Sequence, residues 1–213
     1  MISQIQRQVL KFSFHAGVLQ KIFQKKLKPY FTFTKATLSN PRAVGAACPS
    51  SPFLAKAMAA QVDANTSGFV IELGGGTGMI TRALLNHGVS PNKLITIEYS
   101  PELAQHLRDD FPDIHVLEGD AAKLDQLLDE HLKDEVNDVH AIVSGLPLRS
   151  LPKSKVKAIK QQIFNHIGSK GLFVQFTYDL RLLASQKKKF NLKHSSLVWR
   201  NIPPARVNTY CKK

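Results

Sequence analysis

The stretch Gly68-Phe69-Val70-Ile71-Glu72-Leu73-Gly74-Gly75-Gly76-Thr77-Gly78 decides the reading of this chain. Phe69 to Leu73 form a short apolar run, the pattern of a strand buried on both faces. The run flows into G-x-G-x-G, and Met79 to Asn86 read as a helix closed near Gly88. A strand, a glycine turn and a helix N-terminus in succession turn backbone N–H groups toward a ligand. A dinucleotide fingerprint wants its third glycine one place later, where Met79 stands. Glu72 at the strand end repels phosphate and suits a cationic ligand, such as an amine or a sulfonium.

The same pattern repeats on both sides. Upstream, Ser51-Pro52 starts a helix to about Val62, with serine as N-cap and proline in the first helical position. Downstream, Leu94–Glu98 is a strand and Ser100-Pro101 caps a helix to about Phe111. Strands over Ile114–Leu117, Val139–Val143 and Leu172–Phe176 alternate with helices over Ala122–Leu132 and Ser154–Ile167. Two closing strands lie around Leu192–Trp199 and Arg206–Cys211. Strands alternating with helices predict an α/β fold, a mostly parallel seven-stranded sheet with helices on both faces. Ligands of such sheets bind at the strand carboxyl ends. Two acidic residues stand there beside the glycine loop. Glu98 ends the second strand and can accept two ribose hydroxyls. Asp120, after the third, can accept from an exocyclic adenine amine.

Charge is distributed unevenly over the 213 residues, whose formal net charge is +13. Residues 63–139 carry fifteen acids against five bases, whereas residues 1–62 and 180–213 each carry nine bases and no acid. Acid-free basic ends point to a polyanion, either nucleic acid or an anionic membrane. The absence of about 18 consecutive apolar residues excludes a spanning helix. Gln4, Gln6, Arg7, Gln8 and Lys11 break any secretory h-region. Two cysteines, Cys48 and Cys211, cannot build a disulfide framework. These features favour the cytoplasm, with peripheral attachment to the cytosolic face of a membrane left open. Residues 2–28 read as one or two basic amphipathic helices, with Ile2, Ile5, Val9 and Phe12 at helical spacing and Lys21, Lys25, Lys26 and Lys28 crowding the end. The expected organisation is a helical extension over 1–40 and a catalytic domain over 41–213. The eight histidines show no metal-ligand spacing, and none is assigned a catalytic role.

Glu72 with the glycine loop, Glu98 and Asp120, in that order at successive strand ends, resemble class I S-adenosylmethionine-dependent methyltransferases over roughly residues 50–211. The resemblance implies a Rossmann-like fold and S-adenosylmethionine as cofactor. It implies that Gly74, Gly76 and Gly78 shape the loop under the methionine part, with Glu72 near its amino group. It implies further that Glu98 holds the ribose beside Tyr99, and that Asp120 and Ala121 frame the adenine edge.

The methyl acceptor is read from Ser144-Gly145-Leu146-Pro147-Leu148. Adenine-N6 methyltransferases, including ribosomal RNA adenine dimethylases, carry Asn-Leu/Pro-Pro-Tyr/Phe here. The asparagine accepts from the base amine and the aromatic stacks on it. Gly145 and Leu148 replace both functional groups, and Ser144 substitutes only if the loop shifts. This loop is instead similar to that of bacterial phospholipid N-methyltransferases acting on phosphatidylethanolamine. So are Val44-Gly45-Ala46-Ala47-Cys48-Pro49-Ser50-Ser51-Pro52, Gln175-Phe176-Thr177-Tyr178 and Val198-Trp199-Arg200-Asn201-Ile202-Pro203-Pro204-Ala205-Arg206-Val207. The resemblance implies methyl transfer to a phospholipid amine. Tyr178 would orient the amine, and Ser144 would serve the cofactor and acceptor sides. The basic N-terminal helix, Arg200 and Arg206 would meet the anionic surface, together with the lysines at 153, 155, 157 and 160. RNA is the rival partner, in which case the chain is an RNA methyltransferase. The residues also allow a non-catalytic cofactor-binding or membrane-docking protein, and a small-molecule amine methyltransferase.

Overall fold

The computed structural model describes residues 50–132, 136, 138–179 and 190–213. The expected basic helix, Lys21, Lys25, Lys26 and Lys28, and residues 44–49 lie outside them.

Seven strands form one sheet: β1 (Phe69–Leu73), β2 (Leu94–Glu98), β3 (His115–Glu118), β4 (Val139–Ser144), β5 (Leu172–Thr177), β6 (Phe190–Val198) and β7 (Ala205–Lys212). Their spatial order is β3-β2-β1-β4-β5-β7-β6. The pairs from β3 across to β5 are parallel, and β7 runs antiparallel to both β5 and β6. β1 and β2 are buried along their whole length, which parallel strands require when both faces are covered. The antiparallel direction of β7 follows from its short connection to β6, because a tight turn reverses the chain.

Among the described residues five helices cover the two faces: α1 (Pro52–Ala59), α2 (Met79–Asn86), α3 (Pro101–Asp110), α4 (Leu124–His131) and α5 (Lys153–His166). Leu54 and Met58 of α1, with Ile80 and Leu84 of α2, pack with Val70, Val143 and Val207 in one core. Leu124 and Leu128 of α4, with Ile159 and Ile163 of α5, pack with Ile71, Leu73, Ile142 and Phe173 in the other. Phe173 is fully buried, stacked on Tyr210 at 5.6 Å.

The two serine caps form as their sequence requires. Ser51 Oγ accepts from the Leu54 amide at 3.2 Å, and Ser100 Oγ from the Leu103 amide at 3.3 Å. The helix expected from Ala122 begins instead as a 3-10 turn over Ala121–Lys123. Asp120 caps that turn by accepting the Ala122 amide at 3.0 Å. Each helix–strand passage thus returns the chain to one edge of the sheet, where the carboxyl ends of β1 to β5 lie side by side.

Candidate active site

The glycine loop leaves β1 under tight constraint. Gly74, Gly76 and Gly78 have φ of +81°, +56° and +76°, a region that residues with a Cβ rarely occupy. Gly78 is also the residue preceding α2, so the helix N-terminus points out of the loop. A Cβ on Gly76 would meet nothing within 4 Å, so open space stands over the middle of the loop. A cofactor has room there.

Two carboxylates converge from below. Glu72 is completely buried. Its Oε2 accepts the hydroxyls of Thr81 at 2.6 Å and Thr96 at 3.0 Å, while Oε1 has no hydrogen-bond partner among the described residues. Burial pushes this carboxyl up to about 7, against the two threonine hydrogen bonds, and the neighbouring Glu98 charge adds to the rise. A fully buried carboxyl of this kind places negative charge beneath the loop, which favours a cationic group bound nearby. Glu98 is tied to the loop itself: Oε2 accepts the Gly76 amide at 2.8 Å and Oε1 the Ser100 amide at 2.9 Å. Each oxygen keeps a second acceptor site, as a pair of ribose hydroxyls requires.

The side expected to meet adenine also holds a cation. Asp120 Oδ2 pairs with Lys155 Nζ at 2.9 Å, and the same ammonium stands 5.1 Å from the centre of the Tyr99 ring. Burial opposes the Asp120 charge, yet the Ala122 amide and Lys155 outweigh it and hold the carboxyl below its usual range. Lys155 therefore belongs to this site and is not one of four equivalent lysines on a solvated helix face. Ala121 is buried in the core cluster with Leu124 and Leu127.

The loop after β4 rests on the glycine loop. The Gly145 amide donates to Leu73 O at 2.9 Å. A Cβ on Gly145 would lie 2.8 Å from Gly74 O and 3.1 Å from Ile80 Cδ1. No side chain fits at 145 unless the glycine loop moves. Ser144 is buried and accepts the Leu146 amide at 3.4 Å. Beside it in register stands Gln175, whose Nε2 donates to Leu146 O at 3.0 Å and Phe176 O at 2.9 Å. Two carbonyl acceptors fix the orientation of that amide, and its buried Oε1 has no hydrogen-bond partner among the described residues. Arg149 and Asp179 close the same gap from outside, paired at 2.8 Å. Tyr178 meets Phe176 edge to face at 5.5 Å.

The two arginines separate. Arg200 lies over the Phe53 ring at 4.0 Å. Arg206 corrects its expected place on an open surface: it is buried in β7, and Nη1 donates to Ser195 Oγ at 3.0 Å. Its neighbours in register, Thr177 and Leu197, belong to the flanking strands on either side. Three contributions escape the sequence reading: Lys155, Gln175 and the Thr81–Thr96 pair. Of these only Gln175 stands in a motif that resembles the lipid enzymes.

No protein-family model matches the chain. It is similar to an ornithine lipid N-methyltransferase of Singulisphaera acidiphila, 29% identical over 154 residues that cover 71% of this chain and 79% of that protein. Among solved structures it is similar to TrmN from Thermus thermophilus, with a TM-score of 0.60 and 19% identity over 76% of this chain. It spans about half of that protein, 49% of its length. A TehB-like SAM-dependent methyltransferase from Corynebacterium glutamicum matches with a TM-score of 0.55 and 15% identity, over 89% of this chain and 97% of the other.

Proposed function

We propose that this chain, which has the Rossmann-like class I methyltransferase fold and is related to lipid N-methyltransferases, methylates the amine of a lipid head group with S-adenosylmethionine as donor. Phosphatidylethanolamine and its methylated forms are the specific acceptors we assign, held at the surface of a membrane. The space enclosed by Gly145 carries the acceptor assignment. An adenine-type site needs a side-chain amide at this position, and Gly74 O and Ile80 leave no room for one. The relation to an ornithine lipid N-methyltransferase supports a lipid amine.

The residues present fit the cofactor. Glu72 Oε1 and the open space over Gly76 suit its methionine end, Glu98 the ribose, and Tyr99 with Asp120 the adenine. When bound, S-adenosylmethionine supplies an electrophilic methyl group on a sulfonium. The chain's own residues must bring a neutral amine into line behind that methyl group and keep water out. Gln175, fixed by Leu146 O and Phe176 O, would orient the amine once the loop admits the head group to its buried Oε1. Tyr178 stands on the outer side of the same strand end, where its ring can stabilise the charge that grows on nitrogen. Ser144 holds the loop backbone between the two sites.

The test offers labelled S-adenosylmethionine with vesicles of phosphatidylethanolamine, vesicles of ornithine lipid and ribosomal RNA. Label is expected in lipid. Label in RNA and never in lipid overturns the assignment and establishes the RNA reading, which the net charge of +13 favours by itself. Flotation with and without residues 1–30 tests the basic N-terminal segment, with weaker binding to anionic vesicles expected on its removal.

A further inference from the structure

The described residues include five large exposed hydrophobic side chains, and three of them belong to one corner: Phe53, Trp199 and Ile202, exposed by 40%, 67% and 88%. Trp199 and Ile202 lie in the turn between β6 and β7, and Phe53 opens α1. An isolated exposed apolar side chain needs no explanation, but three large ones together mark a contact surface.

The position of this corner follows from the sheet. Thr177, the last residue of β5, pairs with Arg206, and Val198 pairs with Ala205. Because β5 is parallel to β4 and β1, the β6–β7 turn projects from the edge that carries the glycine loop and the Ser144–Leu148 loop. The corner is a rim of the candidate active site.

The turn is also held in one shape. Asn201 is buried, and its Nδ2 donates to Pro203 O at 2.6 Å. Ser51 Oγ donates to Asn201 Oδ1 at 2.6 Å, while the same Oγ caps α1. One hydroxyl therefore locks the start of α1 to the turn. Arg200 lies flat on Phe53 and bridges the two elements from outside. Ile202 and Trp199 stand outward because the buried Asn201 between them fixes the backbone.

The sequence on either side of these residues carries charge of one sign. No acidic residue occurs over 180–213, and the first acid after Phe53 is Asp63. Asp179, the acid nearest the turn in sequence on the other side, is paired with Arg149. A tryptophan and an isoleucine on a rigid turn, with an arginine beside them and no carboxylate, match the boundary of an anionic bilayer. There indole rings settle at head-group level, aliphatic chains reach the acyl region and guanidinium groups meet phosphates. A protein partner of stable affinity would need a far wider apolar surface than one turn presents.

We propose that the Phe53–Trp199–Ile202 rim, with Arg200, inserts into the interface of an anionic membrane and seats the active-site edge against it. The lipid amine then enters without its acyl chains leaving the bilayer. This inference rests on the lipid assignment and adds to it a second attachment, within the catalytic domain and independent of the N-terminal segment.

Trp199 is the single tryptophan of the chain, so its emission reports this corner alone. Full-length protein is mixed with vesicles of phosphatidylglycerol and phosphatidylcholine, with and without bromine in the acyl chains. A blue shift and quenching by the brominated lipid are expected, with neither in the presence of RNA. Ile202→Ser should weaken vesicle binding about tenfold, the value of burying one large aliphatic side chain. Arg200→Ala should weaken it about fivefold, an effect that disappears at high salt. An unchanged circular dichroism spectrum controls for folding. Vesicles that sediment the protein without changing its tryptophan emission overturn the proposal, as does a failure to bind vesicles at all. Methyl transfer to lipid in detergent micelles separates the membrane rim from the reaction. Transfer there with silent tryptophan on vesicles overturns the rim and leaves the reaction. A responsive tryptophan with no transfer to any lipid amine overturns the reaction and leaves the rim.

Discussion

The carboxylate of Glu98 accepts the backbone amide of Gly76 at 2.8 Å, so the end of β2 holds the middle of the loop that leaves β1. One side chain thus shapes the loop and stands where we propose the ribose binds. Removing it has two consequences. Glu98→Ala leaves the Gly76 and Ser100 amides without their acceptor, and charge-assisted bonds of this kind are worth about 1.5–3 kcal/mol each. Calorimetry with S-adenosylhomocysteine should show binding weakened by about tenfold to a hundredfold. Glu98→Gln keeps one acceptor oxygen and should fall between. Wild-type affinity in the alanine variant would remove Glu98 from the binding site.

Glu72 makes the stability of the ligand-free protein depend on pH. Burial raises its carboxyl from 4.5 to about 7. The folded protein therefore retains a proton that the unfolded chain has released, and stability falls as pH rises through this window. The full effect is about 3 kcal/mol. Denaturant titrations at pH 5 and pH 8 should show the difference in wild type and its loss in Glu72→Gln. A pH dependence of the same size in the variant would assign it elsewhere.

Gly145 tolerates no side chain. Gly145→Ala places a Cβ against Gly74 O, backbone against which it cannot yield. Destabilisation of about 1–3 kcal/mol is expected, together with weaker cofactor binding, because the two loops are displaced together. Gly145→Asn should lose lipid methylation without gaining transfer to adenine. An asparagine variant that methylates RNA would show that the loop adapts, contrary to the geometry.

Gln175 is expected to act on turnover. Gln175→Leu removes the buried Oε1 and also strands Leu146 O and Phe176 O, so some loss of stability accompanies it, about 1–3 kcal/mol. The discriminating measurement is the split between kinetic constants. kcat for the lipid amine should fall by about ten- to a hundredfold, while KM for S-adenosylmethionine changes little. Equal changes in both would mark Gln175 as a support of the loop alone.

Much of this architecture is legible in the sequence because parallel strands covered on both faces are uninterrupted apolar runs. Leu94–Glu98 and Met79–Asn86 form with the bounds their residues predict. The carboxylates at the strand ends are legible too, since an acid that closes an apolar run stands out. Their partners are not. Lys155 looks like any lysine of a basic helix until α5 packs on the turn that Asp120 caps and brings its ammonium between Asp120 and Tyr99. Arg206 looks like a surface cation until β7 slides between β5 and β6. Gln175 alternates with core residues, and only the return of the Leu146 carbonyl gives its amide a direction. These relations depend on contacts between segments far apart in the chain, which local patterns do not encode.

The insertion of β7 between β5 and β6 also sets an order of assembly. Strands β1 to β5 pair with one another in parallel and contain the whole glycine loop, Glu98 and Asp120. β6, at the sheet edge, pairs with β7 alone, which is made after it. Synthesis therefore delivers the segment with the glycine loop, Glu98 and Asp120 before the strand that pairs with the edge of β5. The hairpin that closes this edge also brings Trp199, Arg200 and Ile202 to the side of Phe53. A chain that ends before β6 therefore carries the glycine loop, Glu98 and Asp120 but lacks the turn that bears Trp199 and Ile202.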